Sequence, residues 1–120
     1  IDPLLIRRYL RAYFFPDTAH GSPDRKAIDA ALPDMRTQFA VLDEAVRATG
    51  YLAGNSFTLA DIDLLPTLFY MNKMPESRVM LAEAKHLKAY FDRHSERPSV
   101  KQTYPESMPE RFVHVLAQVA

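Results

Sequence analysis

The sequence predicts an all-helical domain, a bundle of five to six helices. Apolar residues recur at steps of three and four along most of the 120 residues, which is the spacing of an amphipathic helix. No segment shows the alternation of apolar and polar residues that is typical of a strand. Most of the nine prolines and three glycines fall between the apolar stripes and divide the chain into segments of helical length.

The first helix is predicted over residues 4–15, with Arg7, Arg8 and Arg11 largely on one face. Asp2-Pro3 either starts this helix or Pro3 kinks a helix that begins further upstream. Pro16 ends it in both cases. One apolar stripe consists of Leu5, Tyr9 and Ala12, with Ile6, Leu10 and Tyr13 beside it.

A long helical pattern follows from Asp24 to about Thr49, with Ser22 or Asp24 as its cap and Gly50 as its stop. Pro33 falls inside the pattern, so we expect a kink or a break there. The core stripe is Ile28, Leu32, Met35, Phe39, Leu42 and Val46.

The next helix, from Thr58 to about Asn72, is apolar on nearly every face and is expected at the centre of the bundle, with a bend at Pro66. An amphipathic segment over residues 79–91 follows and divides near Ala84. A short turn begins after Arg97, and a last helix runs over residues 110–119.

Composition and charge narrow the class of protein. The 15 basic and 15 acidic side chains give a formal net charge of zero, so nothing in the charge favours nucleic acid or an anionic membrane as a partner. The chain has no cysteine, which excludes disulfides, thiolate metal sites and cysteine nucleophiles within it and is compatible with a reducing compartment. No apolar run approaches the roughly 20 residues that span a bilayer. The chain begins at Ile1 rather than at Met, so we expect it to be part of a longer protein.

The best-defined local feature is the helix start at residues 57–62. Thr58 at the N-cap can accept a hydrogen bond from the amide of Asp61, and the Asp61 carboxylate can accept one from the amide of Thr58. Phe57 and Ile62 flank this capping box and can pack together as a hydrophobic staple. Capping therefore explains Asp61 better than a catalytic role does.

Two stretches together resemble one family. The run Tyr51-Leu52-Ala53-Gly54-Asn55-Ser56-Phe57-Thr58-Leu59-Ala60-Asp61-Ile62 is similar to the stretch that precedes the central buried helix in the C-terminal domain of glutathione transferases. Downstream, Leu87, Tyr90, Phe91 and Arg97-Pro98-Ser99-Val100 resemble that domain's late helix and its ending. The order and lengths of the helices between these stretches also fit, so the resemblance covers nearly the whole chain.

The resemblance implies that residues 1–120 are a glutathione-transferase-like C-terminal helical domain, a fragment of a longer cytoplasmic protein. The whole protein would carry a thioredoxin-like N-terminal domain that binds most of the glutathione co-substrate and activates its thiol. It would form a homodimer and conjugate glutathione to small hydrophobic electrophiles in detoxification. This chain would then hold the electrophile and have no activity alone. Two alternatives remain open, a non-catalytic protein-interaction module and a whole protein that is a glutathione-dependent isomerase, dehalogenase or reductase.

In the resembling family the first helix lines the electrophile pocket. Tyr9 and Tyr13 lie one turn apart there, where a hydroxyl can bond a substrate while Arg8 attracts an anion. The alternative is that both tyrosines pack in the bundle and the arginine is solvated or paired. Three residues of the last helix either cover the same pocket or simply pack, namely Phe112, Val113 and Leu116.

The sequence shows no pattern that is typical of a site for a metal ion, a phosphate group or nucleic acid. His20, His86, His94 and His114 share no ligand spacing with one another, so no metal is expected. The three glycines form no phosphate loop, and no helix concentrates positive charge for nucleic acid.

Overall fold

The computed structural model describes residues 2–18 and 21–119, apart from the side chains of Asp2, Arg111 and Val119. Over these residues the regular structure is entirely helical, which confirms the predicted fold class. The predicted cap at Asp2 lies outside the described side chains. A π-helical segment, Asp2–Leu10, continues directly into α1 (Arg11–Phe14), and we refer to the two together as the first helix. The remaining helices are α2 (Arg25–Arg47), α3 (Leu59–Met71), α4 (Pro75–Glu83), α5 (Lys85–Ser95), α6 (Pro98–Lys101) and α7 (Glu110–Val119).

The described part of the chain holds more helices than the predicted five to six because some are short. The amphipathic segment divides at Ala84, as predicted, since its ψ of 79° leaves the helical region between α4 and α5. The turn predicted after Arg97 closes as the four-residue helix α6. None of the described helices is long and apolar enough to cross a membrane.

Local signals set both ends of α2. The Asp24 side chain accepts a hydrogen bond from the Ala27 amide (3.1 Å), which satisfies one of the free donors of the first turn. At the other end Gly50 has φ of +76°, a conformation that glycine adopts without strain, and its amide donates to the Val46 carbonyl (2.9 Å). We expected a kink or a break at Pro33; the break is wrong, because α2 runs through Pro33 without interruption. Both Pro33 and Asp29, whose carbonyl loses its donor, are exposed, so water can satisfy that carbonyl.

The core lies where α2 packs between the first helix and α5, with α3 and α4 closing the bundle. α3 contributes fully buried Leu64, Leu65, Leu68 and Met71. It is less central than predicted, since Leu59 (69% exposed) and Ile62 (53% exposed) face solvent. The remaining large core side chains are Leu5, Tyr9, Tyr13, Ile28, Met35, Phe39, Leu42, Met74, Leu81, Leu87, Tyr90 and Phe91.

Candidate ligand pocket and its supporting network

An apolar cavity of about 580 Å³ lies between the first helix, α3 and α7. This volume is in the range of small-molecule sites, which are about 300–1,000 Å³. The Phe14 and Phe112 rings pack at a centroid distance of 4.3 Å, with Tyr70 at 6.3 Å from Phe14 and Phe15 at 5.7 Å from Phe112. The cavity thus has aromatic walls, against which a flat ring can pack in offset or edge-to-face geometry. The lining consists of Ile6, Arg7, Leu10, Arg11, Phe14, Phe15, Tyr70 and Phe112.

Phe14, Tyr70 and Phe112 each lie near an end of their helix, and these helix ends meet at the cavity. Leu10 and Phe14 are four residues apart on the first helix and therefore share a face. Tyr70 is in the last turn of α3, and Phe112 is in the first turn of α7, where its amide donates to the Pro109 carbonyl (2.8 Å). The start of α7 thus closes one side of the cavity.

A second cavity, of about 430 Å³, adjoins the first and shares Arg7, Arg11 and Phe15 with it. Its lining includes three arginines and two aspartates among the described residues. Arg8 donates to Asp34 (2.9 Å) and to the Ala30 carbonyl (3.1 Å). A cavity with charged residues of both signs in its lining therefore lies directly beside the apolar one.

Tyr9 and Tyr13 do not line either cavity. They are 0% and 1% exposed, and both hydroxyls donate to the carboxylate of Glu76 on α4, at 2.8 Å for Tyr9 and at 2.7 and 2.9 Å for Tyr13. Burial and the adjacent carboxylate raise the pKa of Tyr9 and raise the pKa of Tyr13 to about 12. The Ser77 amide also donates to the Tyr9 hydroxyl (3.3 Å).

Arg25 on α2 completes this network. Its guanidinium donates to Glu76 and to Asp29 (2.7 Å), and lies 3.4 Å from the Tyr13 hydroxyl. Burial alone would raise the pKa of Glu76, but the hydrogen bonds from Tyr13, Arg25 and Tyr9 outweigh it and lower that pKa. Glu76 is therefore ionised at neutral pH and ties the first helix, α2 and α4 together.

The structure thus divides the residues predicted for one pocket. Phe112 lines the apolar cavity, and Arg8 lines the second cavity. Tyr9 and Tyr13 face Glu76 instead, while Leu116 is half-buried and packs against the core. Sequence reasoning missed Leu10, Phe14, Phe15 and Tyr70 in the apolar cavity, and Glu76 as the partner of Tyr9 and Tyr13. The adjacent aromatic pair Phe14-Phe15 before Pro16 was a usable signal, whereas nothing in the sequence near Tyr70 or Glu76 separates either from an ordinary packing residue.

At the start of α3 the Asp61 half of the predicted capping box is formed at full hydrogen-bond geometry. Asp61 is fully buried, with Oδ2 accepting from the Thr58 amide (3.0 Å) and Oδ1 from the Leu52 amide (2.9 Å) and the Tyr90 hydroxyl (2.6 Å). Burial by itself raises the pKa of Asp61, yet these hydrogen bonds lower it overall. The Thr58 hydroxyl contributes less, because Thr58 Oγ1 is buried and makes no hydrogen bond of full geometry with any described residue. The Asp61 amide donates to the Thr58 carbonyl instead (3.1 Å).

His94 on α5 is 1% exposed and lies beside this helix start. Its Nδ1 accepts from Arg97 Nε (2.9 Å), so its Nε2 carries the proton that faces the Gly50 carbonyl (2.9 Å). Burial lowers the pKa of His94, the bond to Gly50 opposes this, and the charges of Arg93 and Arg97 lower it further. His94 is therefore held neutral.

The predicted staple residues share a cavity of about 150 Å³, which both Phe57 and Ile62 line. Phe57 also carries the Arg97 guanidinium over its ring at 4.3 Å. Throughout residues 2–18 and 21–119, no group of three or more His, Asp or Glu side chains is placed to hold a metal ion.

The structure is an all-helical domain with an aromatic-walled cavity at the junction of its first helix, α3 and α7. The chain belongs to the glutathione S-transferase family as a C-terminal domain, since the family model "Glutathione S-transferase, C-terminal domain" matches residues 4–98. No solved structure matches the chain at a significant level.

Relatives agree with this assignment over part of their length. "Glutathione S-transferase 1" of Triticum aestivum is 26% identical over 112 residues, which cover 93% of this chain and 48% of that protein. "Glutathione S-transferase A" of Pleuronectes platessa is 29% identical over 73% of this chain and 40% of its own length. "Stringent starvation protein A homolog" of Haemophilus ducreyi is 27% identical over 84% and 47%, respectively. The chain thus spans about half or less of these curated relatives.

Proposed function

We propose that this chain is the electrophile-binding helical domain of a protein that conjugates glutathione to hydrophobic electrophiles. The observation that carries the proposal is the cavity of about 580 Å³ with Phe14, Tyr70 and Phe112 in its walls. The chain's sequence similarity to relatives named as glutathione S-transferases also supports the proposal. The site is suited to a ligand with an aromatic ring, because ring-on-ring contacts add about 0.5–1.5 kcal/mol to the burial of apolar area.

The proposed reaction assigns thiol activation to another part of the whole protein. The thiolate sulfur of glutathione attacks the electrophilic carbon and forms an S–C bond. The leaving group departs with its bonding electron pair, and the thiol proton passes to solvent. Tyr9, Tyr13 and Tyr90 are unsuited to activate the thiol, since each is buried and already donates its hydroxyl proton to a carboxylate. We assign this role to a thioredoxin-like domain of the same whole protein, which also binds glutathione.

Binding of N-phenyl-1-naphthylamine, a neutral two-ring fluorophore, tests the pocket. We expect saturable binding with increased fluorescence, and a Phe112→Ala variant that binds about fivefold to thirtyfold more weakly, equivalent to about 1–2 kcal/mol. Val113→Ala is the matched control, because Val113 is the next residue of α7, is 53% exposed and does not line the cavity. Equal losses in both variants, or no binding at all, would contradict the proposal.

A turnover assay tests the division of roles. This chain mixed with glutathione and 1-chloro-2,4-dinitrobenzene should give no conjugate above the uncatalysed rate. Measurable catalysis by the chain alone would show that thiol activation does not require another domain.

A second candidate function is a non-catalytic protein-interaction module of the same fold. The relative named Stringent starvation protein A homolog favours it, because that name does not describe a transferase. Determining the upstream sequence of the whole protein separates the two. A thioredoxin-like segment with a Tyr, Ser or Cys in its thiol-activating position favours the transferase, and a segment without one favours the module.

A further inference from the structure

We infer that Glu76 and Ser77, at the start of α4, are positioning residues that set how far the first helix lies from α3 and therefore the width of the apolar cavity. The inference rests on the proposed function and names what determines the specificity of that site. Neither residue lines the cavity. Their hydrogen bonds lead instead to the two helices that carry facing walls of the cavity.

Glu76 fixes the rotation of the first helix about its axis. Tyr9 (2.8 Å) and Tyr13 (2.7 Å) both donate to its carboxylate, which an arginine of α2 also bonds. The cavity residues Leu10 and Phe14 each follow one of these tyrosines in the sequence, so all four side chains turn together with the helix. Side chains reach about 5–6 Å from a helix axis, so a rotation of about 10° moves them by about 1 Å.

Ser77 holds the last turn of α3 to the same point. It is fully buried, its amide donates to the Tyr9 hydroxyl (3.3 Å), and its own hydroxyl donates to the Met71 carbonyl (2.6 Å). Met71 is the last residue of α3, where a carbonyl has no partner within its helix, and it directly follows the cavity residue Tyr70. One buried residue thus joins the two helices next to the side chains that form the cavity walls.

The fit of a ligand ring depends on this connection because packing attraction falls steeply with distance. A gap of about 0.5–1 Å already removes a quarter to a half of the attraction between two packed groups. The Phe14 and Tyr70 rings pack edge to face with their centroids 6.3 Å apart. The separation of the first helix and α3 therefore decides whether one ligand ring contacts both walls.

Variants of similar size test the inference with N-phenyl-1-naphthylamine as the probe. We expect Ser77→Ala and Glu76→Gln to bind the probe about threefold to tenfold more weakly, and the nuclear Overhauser effect between the Phe14 and Tyr70 rings to weaken in both. A loss of stability alone reduces apparent affinity only by the folded fraction, so a variant that is still about nine-tenths folded loses only about a tenth of its affinity. Circular dichroism without denaturant measures that fraction, and Ser77→Ala decides the test if Glu76→Gln is incompletely folded.

Asp43→Asn is the matched control. Asp43 of α2 also joins two helices through its carboxylate, which accepts from the Leu87 amide of α5 (2.8 Å), but neither residue lines the cavity. This variant should keep the probe affinity and the ring contact of the unaltered chain. Unchanged binding in Ser77→Ala and Glu76→Gln, or an equal loss in Asp43→Asn, would overturn the inference while the proposed function stands. Failure of the probe to bind, or binding that Phe112→Ala leaves unchanged, would overturn the proposed function and the inference with it.

Discussion

Replacing Asp61 with Asn tests how the start of α3 is held in place. The Asp61 carboxylate accepts three hydrogen bonds, from the amides of Leu52 and Thr58 and from the Tyr90 hydroxyl, and it is fully buried. An asparagine side chain has one acceptor oxygen, which can keep Leu52 and Tyr90 as donors. Its NH₂ group would then face the Thr58 amide, so that two donors meet.

The expected cost follows from these contacts. One hydrogen bond to a charged group is lost, which is worth about 1.5–3 kcal/mol, and the bonds from Leu52 and Tyr90 keep only a neutral acceptor. The interaction of the carboxylate with the helix dipole, typically about 0.3–1 kcal/mol, is lost as well. We therefore expect Asp61→Asn to lower the free energy of unfolding by about 2–4 kcal/mol at pH 7. Urea denaturation of the chain measures this loss.

The pH dependence of that loss provides a second test. Because the pKa of Asp61 is lowered in the folded state, the unfolded chain binds the proton more readily, and its carboxyl titrates near about 3.9. The stabilisation is present above this pH and is lost as the pH falls through the lower folded pKa. Asp63→Asn, an exposed position on the same helix, is the control and should change stability by less than about 0.5 kcal/mol. A cost for Asp61→Asn no larger than the control's, or one that stays constant down to pH 3, would refute the reasoning.

Two further predictions concern the Glu76 network and the buried histidine His94. Glu76→Gln should lower the free energy of unfolding by about 2–3 kcal/mol, because the hydrogen bonds from Tyr9, Tyr13 and Arg25 lose their charged acceptor. Urea denaturation measures this loss, and a value below about 0.5 kcal/mol would contradict the prediction. His94 has a lowered pKa when folded, so its contribution is complete above the unfolded value of about 6.5 and is lost as the pH falls below it. His94→Gln should reduce the stability lost between pH 7 and pH 5, measured by denaturation at both, and an unchanged loss would show that another group is responsible.

The parts of the fold that local signals determine could be predicted from the sequence. The Asp61 capping box, the Asp24 cap, the stop at Gly50 and the division at Ala84 each depend on residues within a few positions of one another. Of the kink or break expected at Pro33, the break was wrong, because α2 packs against the first helix, α4 and α5 and the Asp29 carbonyl that loses its donor can bond water.

The pocket could be predicted only in part, because its composition depends on contacts between distant residues. On the first helix the spacing places Tyr9 and Tyr13 on one face and Leu10 and Phe14 on another. Which of these two faces meets the cavity depends on residues far along the chain. Tyr9 then reaches Glu76, 67 positions further along the chain, and Phe14 is left to face Tyr70 and Phe112.

The measurement that most directly tests the central claim is a titration of the ¹⁵N- and ¹³C-labelled chain with N-phenyl-1-naphthylamine, followed by NMR. If the aromatic-walled cavity binds a hydrophobic electrophile, the largest chemical-shift changes should come from residues that line it, namely Leu10, Phe14, Phe15, Tyr70 and Phe112. Residues that line a separate cavity between α2 and α4, such as Phe39 and Met80, should show no change in chemical shift. Saturable shifts at those distant positions, or no saturable shift at the aromatic walls, would contradict the account.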